Sequence, residues 1–307
     1  MKTLQLLIMA SVLWIGHASL AESRIILPTT SGAEKFFGEF SLAGNLIRKL
    51  GSFPAGTRDY TPDAQGNLHT YTGTFTPNLM SQQGNTWKTQ TFPGWSTANN
   101  LSYGGIAAIG TDVYVSDMYT AYEGSPSGII RFGTREEIPV RFAESLQTFD
   151  LATDGTYLYA LAGYSWISVH VFDPGNMQYV RTFPINEYGL RSIALKQNGE
   201  LFTANWDGTI KHYTSEGTLL DSLVIPGIRF SDINIDDESG NIVLGAAYGQ
   251  GIFLTDESLD TYHQFTVTDQ ALRFDTEFVS FQVVPEPSTI VLGGMVATGL
   301  LFIRKRL

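Results

Sequence analysis

A short strand-like segment recurs along the chain at a nearly constant spacing. It begins with an apolar residue and contains a further apolar or aromatic residue. Its copies begin at Leu68, Val113, Leu158, Leu201 and Ile242, which are 45, 45, 43 and 41 residues apart. Each of the last four follows an apolar strand and a polar turn, as Ile193-Ala194-Leu195 precedes Gln197-Asn198-Gly199. Third strands are predicted to end at Phe132, Phe172, Tyr213 and Leu254, and fourth strands at Phe142, Phe183, Leu223 and Phe265. A four-stranded unit of about 42 residues is typical of the blades of a β-propeller and not of a two-sheet sandwich.

The number of blades follows from what remains at the two ends. Five full copies run from about residue 59 to 267. Residues 24–27, 36–42 and 45–50 match second, third and fourth strands, while residues 277–284 match one lone strand. One strand from the C-terminal side and three from the N-terminal side predict a sixth blade that closes the ring and removes the sheet edges. We therefore expect an all-β, six-bladed propeller of four-stranded antiparallel blades over residues 22–284.

Composition excludes several other classes. A hydrophobic fraction of 43% is too high for a disordered chain, and a mean hydropathy of -0.01 is too low for a multi-span membrane protein. The absence of cysteine excludes disulfides, cysteine-ligated zinc and thiol catalysis. A formal charge of -11 with only 19 basic residues argues against nucleic acid as a partner.

Residues 1–21 have the pattern of a cleavable signal peptide. A lysine at position 2 precedes an apolar run from Leu4 to Ile15, and Ser19-Leu20-Ala21 places small residues three and one before a cut. The alternative, a first core helix, is disfavoured because the run is short and ends in a cleavage-type tripeptide. We expect the chain after Ala21 to be exported.

Residues 285–307 form a second targeting pattern. Pro285-Glu286-Pro287 is followed by a short hydrophobic helix, predicted over 289–303, and then by Arg304, Lys305 and Arg306. The fourteen apolar or small residues from Ile290 to Ile303 span about 21 Å as a helix, which is less than the roughly 30 Å hydrocarbon core, so the anchor is weak or temporary. The basic triplet is expected on the cytoplasmic side, which places the propeller outside the inner membrane.

These three parts together resemble the PEP-CTERM sorting signal of Gram-negative bacteria. The resemblance covers about the last 23 residues and implies recognition and processing by an exosortase in the inner membrane. It further implies transient anchoring there, then delivery to the cell surface or extracellular space, in association with exopolysaccharide or biofilm. Because members carry unrelated outer domains, the resemblance implies a destination and not an activity.

The period and closure of the repeat resemble NHL-type and gluconolactonase-like six-bladed propellers. Gluconolactonase-like members hold a metal in the channel with Glu, Asn and Asp, and Asp150, Asp232 and Glu277 occupy roughly suitable registers here. Their Asn-Gly and Asp-Gly ligand segments are not convincingly present, so we predict no metal and no cofactor. The sequence also contains no G-x-S-x-G and no H-E-x-x-H motif.

Candidate ligand-binding residues lie in the connections that precede first strands and follow second strands, which share one face of a propeller. Exposed aromatic residues there would suit stacking on sugars; the alternative is that they pack between loops. The candidates of this kind are Trp95, Tyr122 and Trp166.

Arginines recur just before the first strands of several blades, accompanied by acids. They are Arg58, Arg191, Arg229 and Arg273, with Asp150, Asp232 and Glu277 among the acids. Radial repetition would assemble a ring of arginines and carboxylates that holds an anionic or hydroxyl-rich ligand. The alternative is that each arginine pairs with a neighbouring aspartate and joins adjacent blades.

The sequence thus favours a non-catalytic binding or scaffolding module, associated with exopolysaccharide. A propeller hydrolase or lyase acting on a sugar lactone or polysaccharide is the alternative, and a purely structural surface protein is a third class. Unpaired acids within metal reach would favour the enzyme, whereas Arg–Asp pairs would favour the binder. A structural protein would have no concave polar pocket.

Overall fold

The described residues form six antiparallel sheets arranged as the blades of a propeller. A computed structural model describes residues 22–54, 56–72, 78–84, 86–92, 105–117, 127–133, 139–144, 146–163, 167–185 and 187–281, except for a few side chains within these ranges. Blade 1 contains β4 (Thr57–Pro62), β5 (Leu68–Thr72), β6 (Asn78–Gln83) and β7 (Thr86–Thr91). Blade 2 contains β8 (Ile106–Ile109), β9 (Asp112–Asp117), β10 (Gly128–Phe132) and β11 (Val140–Phe142). Blade 3 contains β12 (Thr148–Thr153), β13 (Leu158–Ala162), β14 (Ser168–Asp173) and β15 (Gln178–Pro184).

The remaining blades use the rest of the chain. Blade 4 contains β16 (Leu190–Leu195), β17 (Leu201–Asn205), β18 (Thr209–Tyr213) and β19 (Leu219–Val224). Blade 5 contains β20 (Phe230–Ile235), β21 (Asn241–Ala246), β22 (Gly251–Asp256) and β23 (His263–Gln264), with a 3-10 turn at Ala247–Gly249 between β21 and β22. Blade 6 joins the two ends of the described chain: β1 (Arg24–Ser31), β2 (Glu34–Ser41), β3 (Leu46–Gly51), β24 (Leu272–Phe274) and β25 (Ser280–Phe281). The predicted six-bladed, all-β architecture is confirmed.

Burial explains why second strands read as continuous apolar runs. Every residue of β13 and of β17 is buried, because neighbouring blades cover both faces of these strands. The outermost strand β19 is exposed at nearly every position. A separate hydrophobic cluster fills each of the six interfaces between adjacent blades. The core is therefore a ring of six interfaces, and no blade buries its apolar faces alone.

Closure of the ring occurs in blade 6, as the sequence predicts. There β1 pairs with β25 through Ile25↔Phe281 and with β24 through Thr30↔Arg273. On the other side of the closure, the Tyr60 hydroxyl of blade 1 donates to the Ile26 carbonyl at 2.6 Å. The N- and C-terminal strands are thus held in one sheet and locked to the first full blade.

One detail of blade 6 differs from the prediction. We expected one inner strand over residues 277–284, whereas two short strands, β24 and β25, share the inner position. The interruption lies opposite Leu27 and Pro28 of β1. Proline has no N–H to donate to the ladder, and the Pro28 carbonyl instead accepts from the Asp275 N–H.

No helix in the described ranges is long and apolar enough to cross a bilayer. The predicted signal peptide and the predicted sorting signal, including Pro285, Glu286, Pro287, Arg304, Lys305 and Arg306, lie outside the described residues.

Candidate functional site

The innermost strands carry a recurrent β-bulge near their beginnings. The register shifts between Thr57 and Asp59, Thr148 and Asp150, Leu190 and Ser192, and Phe230 and Asp232. A bulge adds one residue to a strand and re-aims the side chain beside it. The four residues that follow the extra residue, Asp59, Asp150, Ser192 and Asp232, are all buried. Radial repetition therefore places three carboxyl groups and one hydroxyl in the interior of the ring.

These carboxyl groups join adjacent blades through peptide N–H groups. Asp150 accepts from its own neighbour Leu151 at 2.8 Å and from Ile193 of blade 4 at 2.7 Å. Asp232 does the same with Ile233 and with Val279 of blade 6, both at 2.8 Å. Asp59 accepts from Tyr60 at 2.7 Å and from Ile106 of blade 2 at 3.1 Å. The aspartates thus hold the inner strands together.

Ser192 links two of these aspartates. Its Oγ lies 2.5 Å from Asp150 Oδ2 and 2.9 Å from Asp232 Oδ1, and it also accepts from the Ile233 N–H at 3.1 Å. A serine hydroxyl has one hydrogen to donate. It cannot donate to both carboxylates at once, so both contacts are hydrogen bonds only if one aspartate is protonated and donates to Ser192. The geometry therefore places a proton in the Asp150–Ser192–Asp232 group.

Burial and the repulsion between neighbouring carboxylates also favour a protonated aspartate in this group. Burial raises the pKa of Asp150, and the nearby Asp232 raises it further. Burial likewise raises the pKa of Asp232, and it raises the pKa of Asp59 well above its ordinary value, with Asp232 and Asp150 adding to the effect. Removing a carboxylate from water disfavours its charged form, and neighbouring carboxylates disfavour it more.

A central cavity of about 700 Å³ lies along the inner strands. Aliphatic residues of the inner strands and a similar number of polar residues line it, and the three buried aspartates are among the polar ones. It opens toward the turns between first and second strands, where Glu22, Asp63, Asp154, Asp236, Asp237 and Glu238 line it. We call this end of the propeller the turn face, and the opposite end the loop face. A concave polar pocket is present, which a purely structural protein would not need.

Two of the buried acids that line the cavity, Asp150 and Asp232, are engaged with protein hydrogen-bond donors. Within the described ranges, no three His, Asp or Glu side chains are arranged to hold a metal ion. Each oxygen of Asp150 and Asp232 already accepts a hydrogen bond. Asp150 and Asp232 are therefore satisfied by peptide N–H groups and Ser192, and not by the arginine partners that the sequence offered as an alternative.

Two of the predicted arginines meet on the loop face around one tryptophan. The Cζ of Arg191 lies 4.6 Å from the centroid of the Trp206 ring, and the Cζ of Arg229 lies 5.6 Å from it. Arg229 is also 5.8 Å from the ring of Tyr248, and the two aromatic rings are 5.7 Å apart at 78°. We call Arg191, Trp206, Arg229 and Tyr248 the loop-face cluster. Its members come from two adjacent blades and their connections.

Tyr248 is the most unusual residue of this cluster. It lies in the 3-10 turn after β21 with φ 59° and ψ 28°, the left-handed region that tyrosine rarely adopts, and its side chain is 70% exposed. Backbone conformations of this kind cost free energy and recur at functional sites. The turn is held by Gln250, whose side chain accepts from the Arg229 N–H and donates to the Gly227 carbonyl, both at 2.8 Å.

The predicted ring of four arginines is only partly within the described side chains, and its described members differ in their contacts. Arg273 lies in β24, and its Nη1 donates to the Gln270 and Leu272 carbonyls. Arg58 is the extra residue of the bulge in β4, and its side chain is outside the described part. Glu277 contributes main-chain groups, since its carbonyl accepts from Ser231 and its N–H donates to Asp275. Of the candidates, the structure brings together Arg191 with Arg229, and Asp150 with Asp232.

The candidates Trp95, Tyr122 and Trp166 lie outside the described residues. Two residues that matter in the described part were missed. Ser192 carries no charge, but it occupies the register of Asp150 and Asp232, 42 and 40 residues away, and an alignment of first strands would have found it. Trp206 occurs in one blade only and gives no repeat signal.

Comparisons with protein-family models and with curated proteins find no match for this chain.

Proposed function

We propose that the chain is an exported β-propeller that binds polysaccharide at the cell surface without cleaving it, and that the loop-face cluster is its binding site. The observation that carries this proposal is the exposed Tyr248 ring, held in a left-handed turn beside Trp206 and two guanidinium groups. An aromatic face stacks on the apolar face of a sugar, and guanidinium groups donate to its oxygens. A rigid, exposed aromatic residue serves this purpose with little loss of conformational entropy on binding.

Delivery to the surface is the second part of this proposal. It is supported by the resemblance of residues 285–307 to the PEP-CTERM signal and by the signal-peptide pattern of residues 1–21. The partner would be an exosortase-type processing enzyme, and the inner membrane would hold the chain before processing. Replacing Pro285, Glu286 and Pro287 with alanine should leave the protein in the inner-membrane fraction of its host. Unchanged arrival at the surface would contradict this part.

A hydrolase or lyase is the second candidate, because three buried aspartates line a cavity large enough for a sugar. Buried carboxyl groups with raised pKa values are common at active sites. Here, however, the aspartates receive peptide N–H groups from two adjacent blades in a pattern that repeats around the ring. That repetition favours a structural role for them, and the binding proposal is therefore preferred.

The experiment measures polysaccharide retardation of the purified full chain in affinity gels, beside an assay for reducing ends and lactone opening. We expect Tyr248→Ala and Trp206→Ala to abolish retardation, and no turnover. Tyr179→Ala is the matched control, because Tyr179 is 57% exposed but lies on the outer strand β15. Turnover that Asp232→Ala removes, with retardation unaffected by Tyr248→Ala, would overturn the proposal in favour of the enzyme.

A further inference from the structure

Arg229 has an unusual charge environment. The chain carries 30 acidic and 19 basic residues, and many basic side chains pair with acids. Arg24 and Arg48 both bind Glu39, for example, and Lys211 binds Glu187. Within the described residues, the guanidinium of Arg229 contacts two aromatic rings and forms no ion pair. Among the described residues, no carboxylate therefore neutralises the charge of Arg229 within ion-pair distance.

The aromatic contacts leave the donors of Arg229 available. A guanidinium that stacks on a ring presents its N–H groups at its edge, where two parallel bonds to one oxyanion form readily. The guanidinium of Arg191 lies against the same indole, so a second positive charge is close to the first. Two guanidinium groups thus lie against one indole ring in a protein of net charge -11.

The backbone holds this arrangement before any ligand arrives. The Ala247 N–H donates to the Arg229 carbonyl at 2.8 Å, which ties the turn of Tyr248 to the segment that carries Arg229. Gln250 adds two further bonds between the same segments. Such preorganisation reduces the entropic cost of binding.

We propose that the polysaccharide recognised at the loop-face cluster is acidic, with its carboxylate or sulfate groups bound by Arg229 and Arg191 while a sugar ring stacks on Tyr248. This inference rests on the proposed function and adds the class of ligand to it. Uronic acids and sulfated sugars share this oxyanion chemistry. A nucleic acid also presents oxyanions, and the test therefore includes single-stranded DNA as a competing class of ligand.

The test uses the full chain and four probes: polygalacturonate, dextran sulfate, neutral dextran and single-stranded DNA. We expect tighter binding to one or both acidic polysaccharides than to dextran, by at least tenfold at 50 mM NaCl, and a marked loss at 300 mM NaCl. Polygalacturonate and dextran sulfate separate the carboxylate source from the sulfate source.

Variants separate charge recognition from stacking. Arg229→Gln should lower affinity for the acidic polymers about tenfold or more and lower affinity for dextran much less, whereas Arg229→Lys, which keeps the charge but not the paired donors, should lie between. Tyr248→Ala should weaken binding of every polysaccharide. Arg181→Gln is the matched control, since it makes the same change at an exposed arginine on the outer strand β15.

Three outcomes would overturn the inference. In the first outcome, dextran and the acidic polymers bind equally well, and this binding is unaffected by either Arg229 substitution but lost in Tyr248→Ala. That result would contradict an acidic ligand but would still support the proposed function. Binding of no polysaccharide would remove both. Preferential binding of DNA that Arg229→Gln abolishes would replace the polysaccharide by a nucleic acid. Thermal unfolding of each variant establishes that it is folded. If Arg229→Gln is not folded, the comparison of Arg229→Lys with the wild type still tests the inference.

Discussion

Among single residues, Asp150 has the most closely determined chemistry. Its carboxyl group accepts from two blades and shares a hydroxyl with Asp232. Burial and the charge of Asp232 raise its pKa above that of an exposed aspartate in the unfolded chain. The folded protein therefore holds a proton that the unfolded chain releases. Stability from this proton is complete below a pH of about 4 and is lost as the pH rises through the folded pKa.

Asp150→Asn should show this dependence directly. At pH 5 the amide keeps only one acceptor oxygen, so a buried donor loses its partner and the free energy of unfolding falls by about 1 to 3 kcal/mol. At pH 9 the difference in unfolding free energy between variant and wild type should be smaller. Asp150 of the wild type has then lost its proton, whereas the asparagine amide does not titrate. Urea unfolding at pH 5, 7 and 9 measures the gap. Asp260→Asn, at an exposed acid, is the control; a gap that stays constant with pH would contradict the argument.

Ser192 gives a second prediction at this scale. Ser192→Ala removes the hydroxyl between two buried carboxyl groups and one acceptor of the Ile233 N–H. We expect a loss of about 1 to 3 kcal/mol of unfolding free energy and faster amide exchange at Ile233. Urea unfolding and hydrogen exchange measure these effects. Ser222→Ala on the exposed strand β19 should change neither, and an equally small effect at Ser192 would contradict a bridging role.

Among the elements, the innermost strands show how closely the blades approach. Gly105 of blade 2 stands at the register that aspartate or serine occupies in four other blades. A Cβ at Gly105 would lie 2.2 Å from Asp150 Oδ1 and 2.2 Å from the Leu151 nitrogen. Any larger residue would thus collide with the bulge of blade 3, which explains why the repeat is broken here.

Gly105→Ala should consequently separate blades 2 and 3. We expect a loss of about 3 kcal/mol or more, at the upper end for overpacking, because the obstacle is backbone and a fixed carboxyl group. Gly175→Ala is the control: its Cβ would lie 3.2 Å from the Asp173 carboxylate, in an exposed turn where that side chain has room to move. Thermal and urea unfolding compare the two, and similar losses would show that the close approach at Gly105 is unimportant.

The elements also show what the sequence could and could not predict. Blade number and the three N-terminal strands followed from the period, since residues 24–27, 36–42 and 45–50 read as strands in the right order. The bulges did not, because one extra residue per strand barely changes a spacing of about 42. Arg191 and Arg229 were found from the repeat, whereas Trp206 was not, since it occurs in one blade only and meets Arg229 through the packing of blades 4 and 5.

The two faces of the whole molecule differ in chemistry. The turn face has an acidic cavity mouth, whereas the loop face has the cluster of arginine and aromatic residues. The described chain begins beside β1 and ends in β25, neighbouring strands that pair through Ile25↔Phe281. Both ends therefore lie at the turn face, because Glu22 and Phe281 line the same cavity. A sorting signal after β25 would leave from there, with the proposed binding site on the opposite side.

Such an arrangement depends on closure of the ring, and the absence of cysteine makes closure easy to test. Ile26 and Ser280 are directly opposite in the pairing of β1 with β25. Cysteines at both positions should form a single disulfide that encloses nearly the whole described chain, and long loops gain most from crosslinking, by about 4 kcal/mol or more if the geometry is unstrained. Peptide mass spectrometry without reductant identifies the bond.

Comparing the oxidised and reduced forms of the same double variant cancels the cost of losing Ile26 from the core. We expect the oxidised form to unfold at a temperature several degrees higher than the reduced form, whereas Ile26→Cys alone should show no dependence on reductant. If β25 stood away from β1, the disulfide would form only between molecules or not at all. The cluster between blades 5 and 6 would then lose Phe281, and Val279 would no longer donate to Asp232. A monomeric disulfide with higher thermal stability therefore requires the closed ring.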